Sequence, residues 1–135
     1  MADFLNDPKP HGKPILCLDF DGVIHSYKSG WKGVDVIPDP PVPGAFAWIE
    51  LALHDFDIYI YSSRSESIKG RFAMQHFFID NGAEELLDKL TFTDKKPRAF
   101  LTIDDRCVCF NGRWSDPEFN PKNLLEFTSW YKYQK

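Results

Sequence analysis

Ile15-Leu16-Cys17-Leu18-Asp19-Phe20-Asp21-Gly22-Val23-Ile24 is the stretch whose reading decides the fold. Its opening residues are apolar without a break, which is the pattern of a strand buried on both faces of a parallel sheet. The run then breaks into two carboxylates one residue apart, and Gly22 turns the chain just behind them. Two like charges so close together at a buried strand tip cannot both ionise cheaply. The pattern asks for positive charge at that point, and a hard cation with oxygen ligands would supply it. The stretch therefore reads as the centre of a magnesium-dependent phosphoryl-transfer site.

Composition narrows the setting. At 135 residues the chain has the length of one domain and can bury a real core. With 43% hydrophobic and 16% aromatic residues, global disorder is not expected. A formal net charge of -4 offers no basic footprint for stable duplex nucleic-acid binding, although a nucleotide remains open as a small substrate. The three cysteines are Cys17, Cys107 and Cys109. An odd count without framework spacing reads as reduced thiols, and a zinc site at Cys107-Val108-Cys109 would lack its second ligand pair. Residues 1–14 are polar and proline-bearing, a loose lead-in without the pattern of a secretory signal. No apolar stretch has membrane-spanning length, so a cytoplasmic protein is expected.

Working outward, residues 15–20 form the first strand. The stretch 25–43 is irregular, with Gly30, Gly33, Pro38, Pro40, Pro41 and Pro43, and reads as a flap, with a short hairpin arm over 31–37. A helix is expected over 43–54 on a stripe of Phe46, Ile49 and Leu53, and a strand over 56–61. A second helix over 66–80 carries Ile68, Phe72, Met74, Phe77, Phe78 and Ile79, with Phe72, Phe77 and Phe78 expected in the core; Asn81-Gly82 stops it. A helical turn at 83–87, a strand at 90–93 and a strand at 99–103 follow. Residues 107–110 then read as one arm of a hairpin turning at Asn111-Gly112. Asn120-Pro121 opens a closing helix to about Tyr131. Alternating strands and helices imply one α/β domain: a three-layer, Rossmann-like fold on a mostly parallel sheet.

In such sheets ligands bind beyond the carboxyl ends of the strands. Three tips bring polar groups to that edge: Asp19 and Asp21, then Ser62, Ser63 and Arg64, then Asp104 and Asp105. Lys95 and Lys96 precede the last of them. Carboxylates from two strands can hold Mg²⁺ and leave room for water and a phosphate. A hydroxyl and an ammonium aimed at the same point would stabilise phosphoryl oxygens. An aspartate can also attack phosphorus directly.

Asp19-Phe20-Asp21-Gly22, Ser62 after Ile58-Tyr59-Ile60-Tyr61, Lys96-Pro97, and Ile103-Asp104-Asp105 together resemble the four ordered motifs of the haloacid dehalogenase superfamily. The match spans most of the chain. The resemblance implies an Mg²⁺-dependent phosphatase with Asp19 as nucleophile and Asp21 as general acid, then base. Asp19, the Asp21 backbone carbonyl and Asp104 would ligate the metal, with Asp105 an outer or alternative ligand. Ser62 and Lys96 would hold the phosphoryl group, with Ser63 and Lys95 as the alternatives and Arg64 beside them. Only 40 residues lie between Asp21 and Ser62, too few for a cap domain, so a capless member is implied. Its open site would admit a phosphorylated small molecule or a phosphorylated polymer end, with a nucleotide or polynucleotide end favoured by that openness and by Trp31, which could stack on a base or equally anchor the arm to the core.

Two other classes stay open. A phosphoacceptor or binding module would use similar residues, but it would want its adjacent acidic pair early, whereas Asp104-Asp105 comes late. Dehalogenase chemistry of the same superfamily is disfavoured by the second aspartate, Asp21. Arg64 and Arg106 would each meet substrate or pair with a carboxylate, and His25 would contact a leaving group or pack the loop.

Overall fold

The computed structural model describes residues 12–133, so most of the lead-in lies outside the described residues. Four strands, β1 (Ile15–Leu18), β2 (Asp57–Tyr61), β3 (Leu90–Thr93) and β4 (Leu101–Ile103), form one sheet in the order β3-β2-β1-β4. Every pairing is parallel, which is consistent with a Rossmann-like α/β fold. The helices α1 (Ala45–Ala52) and α2 (Ile68–Asp80) are the crossovers from β1 to β2 and from β2 to β3. Both crossovers step the same way along the sheet, so right-handed connection places both helices on one face.

The register explains what that face buries. Leu16 pairs with Ile58 and Leu101, and Leu18 pairs with Ile60 and Ile103; Leu90 and Phe92 extend the two rows at β3. Against the central part of these rows pack Ile49 and Ala52 of α1 and Met74, Phe77 and Phe78 of α2. Each fully buried side chain of this kind stabilises by roughly 1.5–3 kcal/mol. β4 lies beyond both helices, which leaves Leu101 and Ile103 exposed on the same face.

Several expectations change. Phe72, with Ile68 and Ile79, is exposed rather than core. α2 carries two apolar stripes, and the sheet takes the one made by Met74, Phe77 and Phe78. Residues 107–110 form no strand, and Asn111-Gly112 turns no hairpin. The Asn111 side chain instead donates to Asp116 and accepts from the Arg113 amide, closing a local turn. The closing helix shrinks to α3 (Pro121–Leu124), capped by Asn120 through the Lys122 amide. Residues 121–127 are exposed, and a helix this short does not persist without a buried face. A short 3₁₀ turn, Trp130–Tyr133, follows instead. Among the described residues no further long helix supplies a third layer, and the expected 31–37 hairpin is irregular chain.

Candidate functional site at the carboxyl edge of the sheet

Because β1 and β4 are neighbours, their tips deliver carboxylates side by side. The Asp19 amide donates to the Ile103 carbonyl at 3.0 Å, carrying the ladder one residue past the strands. Asp19, Asp104 and Asp105 each place an oxygen within 4.8 Å of the others, a group of the kind that can hold a metal ion. Gly22 makes this approach possible: it sits at φ +83°, and a Cβ there would strike the Asp105 carboxylate. Burial pushes the Asp19 carboxyl up to about 8, and the hydrogen bond to Asp105 and the charge of Asp104 push the same way. The Phe20 amide, donating to Asp19 Oδ1 at 2.8 Å, opposes that rise. Desolvation with like charge disfavours the ionised form, and a cation among the three carboxylates would reverse the balance.

Asp21 is handled differently. Its Oδ2 accepts from Arg64 Nε at 2.9 Å, and its Oδ1 lies 2.9 Å from His25 Nδ1. The Asp39 amide donates to His25 Nε2 at 3.1 Å, which makes that nitrogen an acceptor and leaves the ring proton on Nδ1, facing Asp21. His25 is fully buried between these partners, so it orients Asp21 rather than meeting a leaving group. Asp39 is in turn tied to Ser29 through its amide and hydroxyl, at 2.7 and 2.6 Å.

Arg64 is the other clamp. Fully buried, it sends Nη1 to the Gly33 and Val34 carbonyls, both at 2.8 Å, and its Cζ stacks 4.5 Å from the Trp31 ring centre. Of the two roles the sequence leaves open to Arg64, substrate contact and pairing with a carboxylate, the geometry shows the second: it holds Asp21 and the 25–43 arm together. Gly70 in the first turn of α2 permits this, since a Cβ there would collide with the Arg64 carbonyl.

A cleft of about 280 Å³ opens over the carboxylates, lined by Asp19, Asp21, Ser62, Ser63, Asp104 and Asp105. Ser62 is buried and its Oγ accepts from the Arg64 amide at 3.1 Å, leaving its hydroxyl proton free to donate; Ser63 is exposed. Neither Lys95 nor Lys96 lines the cleft. Lys95 closes a turn with Thr93, whereas Lys96 acts electrostatically nearby. Burial raises the Cys17 and Cys107 thiols, and Lys96 pulls both back while Asp19 and Asp104 push them up.

Four more residues complete the cleft: Tyr27, Trp31, Arg106 and Tyr131. Tyr27 and Tyr131 had no signal of their own. The first sits in the aperiodic arm and the second at the end of an expected helix. Comparison with protein-family models, with curated proteins and with solved structures finds no match to this chain. No helix among the described residues is long and apolar enough to cross a membrane.

Proposed function

We propose that this protein is an Mg²⁺-dependent phosphomonoester hydrolase that works through an aspartyl-phosphate on Asp19, a capless member of the haloacid dehalogenase superfamily. One observation carries the reading. The parallel sheet gathers Asp19, Asp21, Ser62, Asp104 and Asp105, residues of three of the four motifs, around one cleft, with Lys96 of the remaining motif outside its lining. Asp19, Asp104 and Asp105 fit a hard cation, being all-oxygen donors from two adjacent strand tips with the cleft open above them. When bound, Mg²⁺ would neutralise these carboxylates and the developing charge on the phosphoryl oxygens.

The chain's own residues supply the rest. Asp19 attacks phosphorus, and the bond to the leaving oxygen breaks as the new P–O bond forms. Asp21, held by Arg64 and His25, gives a proton to the leaving oxygen and later takes one from the water that hydrolyses the acyl phosphate. Ser62, with its hydroxyl proton unspent, donates to a phosphoryl oxygen, and Lys96, outside the cleft lining, adds only longer-range positive charge.

The test is phosphate release from 4-nitrophenyl phosphate. Turnover is expected with Mg²⁺ and should drop at least about 100-fold in EDTA, as loss of the charge that stabilises the transition state implies. Equal rates with and without the metal would refute the reading.

A further inference from the structure

Part of the cleft lining is aromatic and is built from outside the motifs, by Tyr27, Trp31 and Tyr131. Trp31 remains 50% exposed, although Arg64 stacks on it and holds the two carbonyls just beyond it, at Gly33 and Val34. A large apolar ring kept rigid yet half open is ready to stack on a ligand. Tyr27 lies at φ +61°, a left-handed conformation that is strained for a bulky side chain and is found where function holds it. Its ring packs edge-on against Tyr131 at 5.5 Å. Tyr131 is brought in by the turn at 130–133, where the Trp130 indole N–H donates to the Gly22 carbonyl at 2.6 Å. The aromatic wall is thus fastened to the catalytic loop itself.

A second observation is independent of the first. Directly beside the cleft, and sharing Tyr27, Arg106 and Tyr131 with it, lies a cavity of about 480 Å³ whose lining adds Lys28 and Lys132. Three cations and no carboxylate line it, in a chain whose formal net charge is -4. The nearby Asp39 carboxylate is engaged by Ser29 and is acted on by Lys28. A cavity of this sign beside a phosphate cleft fits a second anion joined to the first.

We propose that the cleft takes the phosphorylated end of a single-stranded polynucleotide, its terminal base stacked on Trp31 beside Tyr27, which the buried Tyr131 backs, and its next internucleotide phosphate in the cavity of Lys28, Arg106 and Lys132. This rests on the phosphomonoesterase reading above. A stacked base answers the aromatic wall, and the adjoining phosphodiester answers the three cations. A single strand suits the site, because a terminal base held in a duplex would not be free to reach the wall.

The test compares kcat/KM across 50–200 mM salt for tetranucleotides phosphorylated at the 5′ or 3′ end, the matching nucleoside monophosphates, 4-nitrophenyl phosphate and an acidic phosphotyrosyl peptide. A tetranucleotide of at least one polarity should exceed its mononucleotide by about tenfold, and the log of that ratio should fall against log salt with a slope of about -0.7, the value for one further phosphate neutralised on a single strand. Lys28→Ala/Lys132→Ala should reduce that slope by more than half, and Trp31→Ala should cut kcat/KM for the tetranucleotide and its mononucleotide alike by about tenfold, since both carry the stacked terminal base. Tetranucleotides no better than mononucleotides, a slope unmoved by the double variant, or preference for the peptide would each overturn the proposal while leaving the phosphatase reading intact. A binding arm separates the two claims. Asp19→Asn protein is titrated with phosphorylated and unphosphorylated tetranucleotide by tryptophan fluorescence. Selective, salt-dependent binding without any turnover of the wild type would keep this proposal and remove the phosphatase reading, and no selectivity together with no turnover would remove both.

Discussion

Asp19→Asn should lower Mg²⁺-dependent turnover by at least about 10³-fold while leaving the protein folded, because the substitution removes the attacking oxygen but keeps the shape. The same variant should make the metal-free protein more stable at alkaline pH. In the folded chain the Asp19 carboxyl is raised from 3.8 to about 8, chiefly by burial. The folded state therefore keeps a proton between about pH 4 and pH 8 that the unfolded chain has lost, and stability falls as pH rises across that window. The contribution of Asp19 is fully present below about pH 4 and is gone once pH has passed about 8. Asparagine has no such proton to lose. In EDTA, the melting temperature of Asp19→Asn should match wild type near pH 4 and exceed it by about 5 °C or more at pH 8.5. Added Mg²⁺ should raise the wild type more than the variant at that pH. Melting temperatures that fall in parallel for both proteins would show that Asp19 is not the strained carboxyl.

Arg64→Met should be the most destabilising single substitution at the site, at about 3 kcal/mol. The methionine fills similar volume but leaves Asp21 without its guanidinium and the Gly33 and Val34 carbonyls without their donor. The low end of the range for a broken buried pair applies, since the Asp21 side chain is 15% exposed and can draw on water. For a chain of this length that amounts to roughly 10 °C in melting temperature. Arg64→Lys should recover little, because an ammonium cannot serve a carboxylate and two carbonyls in one fixed fork. The double variant Arg64→Met/Asp21→Asn should be less unstable than the sum of the singles, as expected for residues in direct contact. An Arg64→Met protein melting within 2 °C of wild type would show that the clamp is not a source of stability.

Much of the carboxyl edge was legible because its signals are local. An apolar run ending in Asp-x-Asp-Gly reads the same whatever surrounds it, and Ser62 and Asp104 follow runs of the same kind. The order of the elements then requires parallel pairing, and pairing puts the three tips together. Legibility ended where structure depends on what a segment packs against. α2 carries apolar residues on two sides, and only the sheet decides that Phe77 is buried and Phe72 is not. Residues 121–131 have a good cap and a proline at the first helical position, yet the helix stops at Leu124 because its face meets nothing. Arg64 shows a third case. Its place after Ser62 left substrate contact and pairing with a carboxylate both open, and only the three-dimensional arm revealed that Nε is taken by Asp21 and Nη1 by the Gly33 and Val34 carbonyls. The aromatic wall was invisible apart from Trp31, because Tyr27 and Tyr131 meet across more than a hundred residues of chain.

The most direct test of the central claim is acid quenching during steady-state hydrolysis of 4-nitrophenyl phosphate, followed by peptide mass analysis. With Mg²⁺, a phosphoryl group should be found on the peptide containing Asp19 and assigned to that side chain. It should be absent in EDTA and in Asp19→Asn. Sustained turnover with the phosphoryl group on any other residue, or turnover that survives Asp19→Asn, would contradict the account.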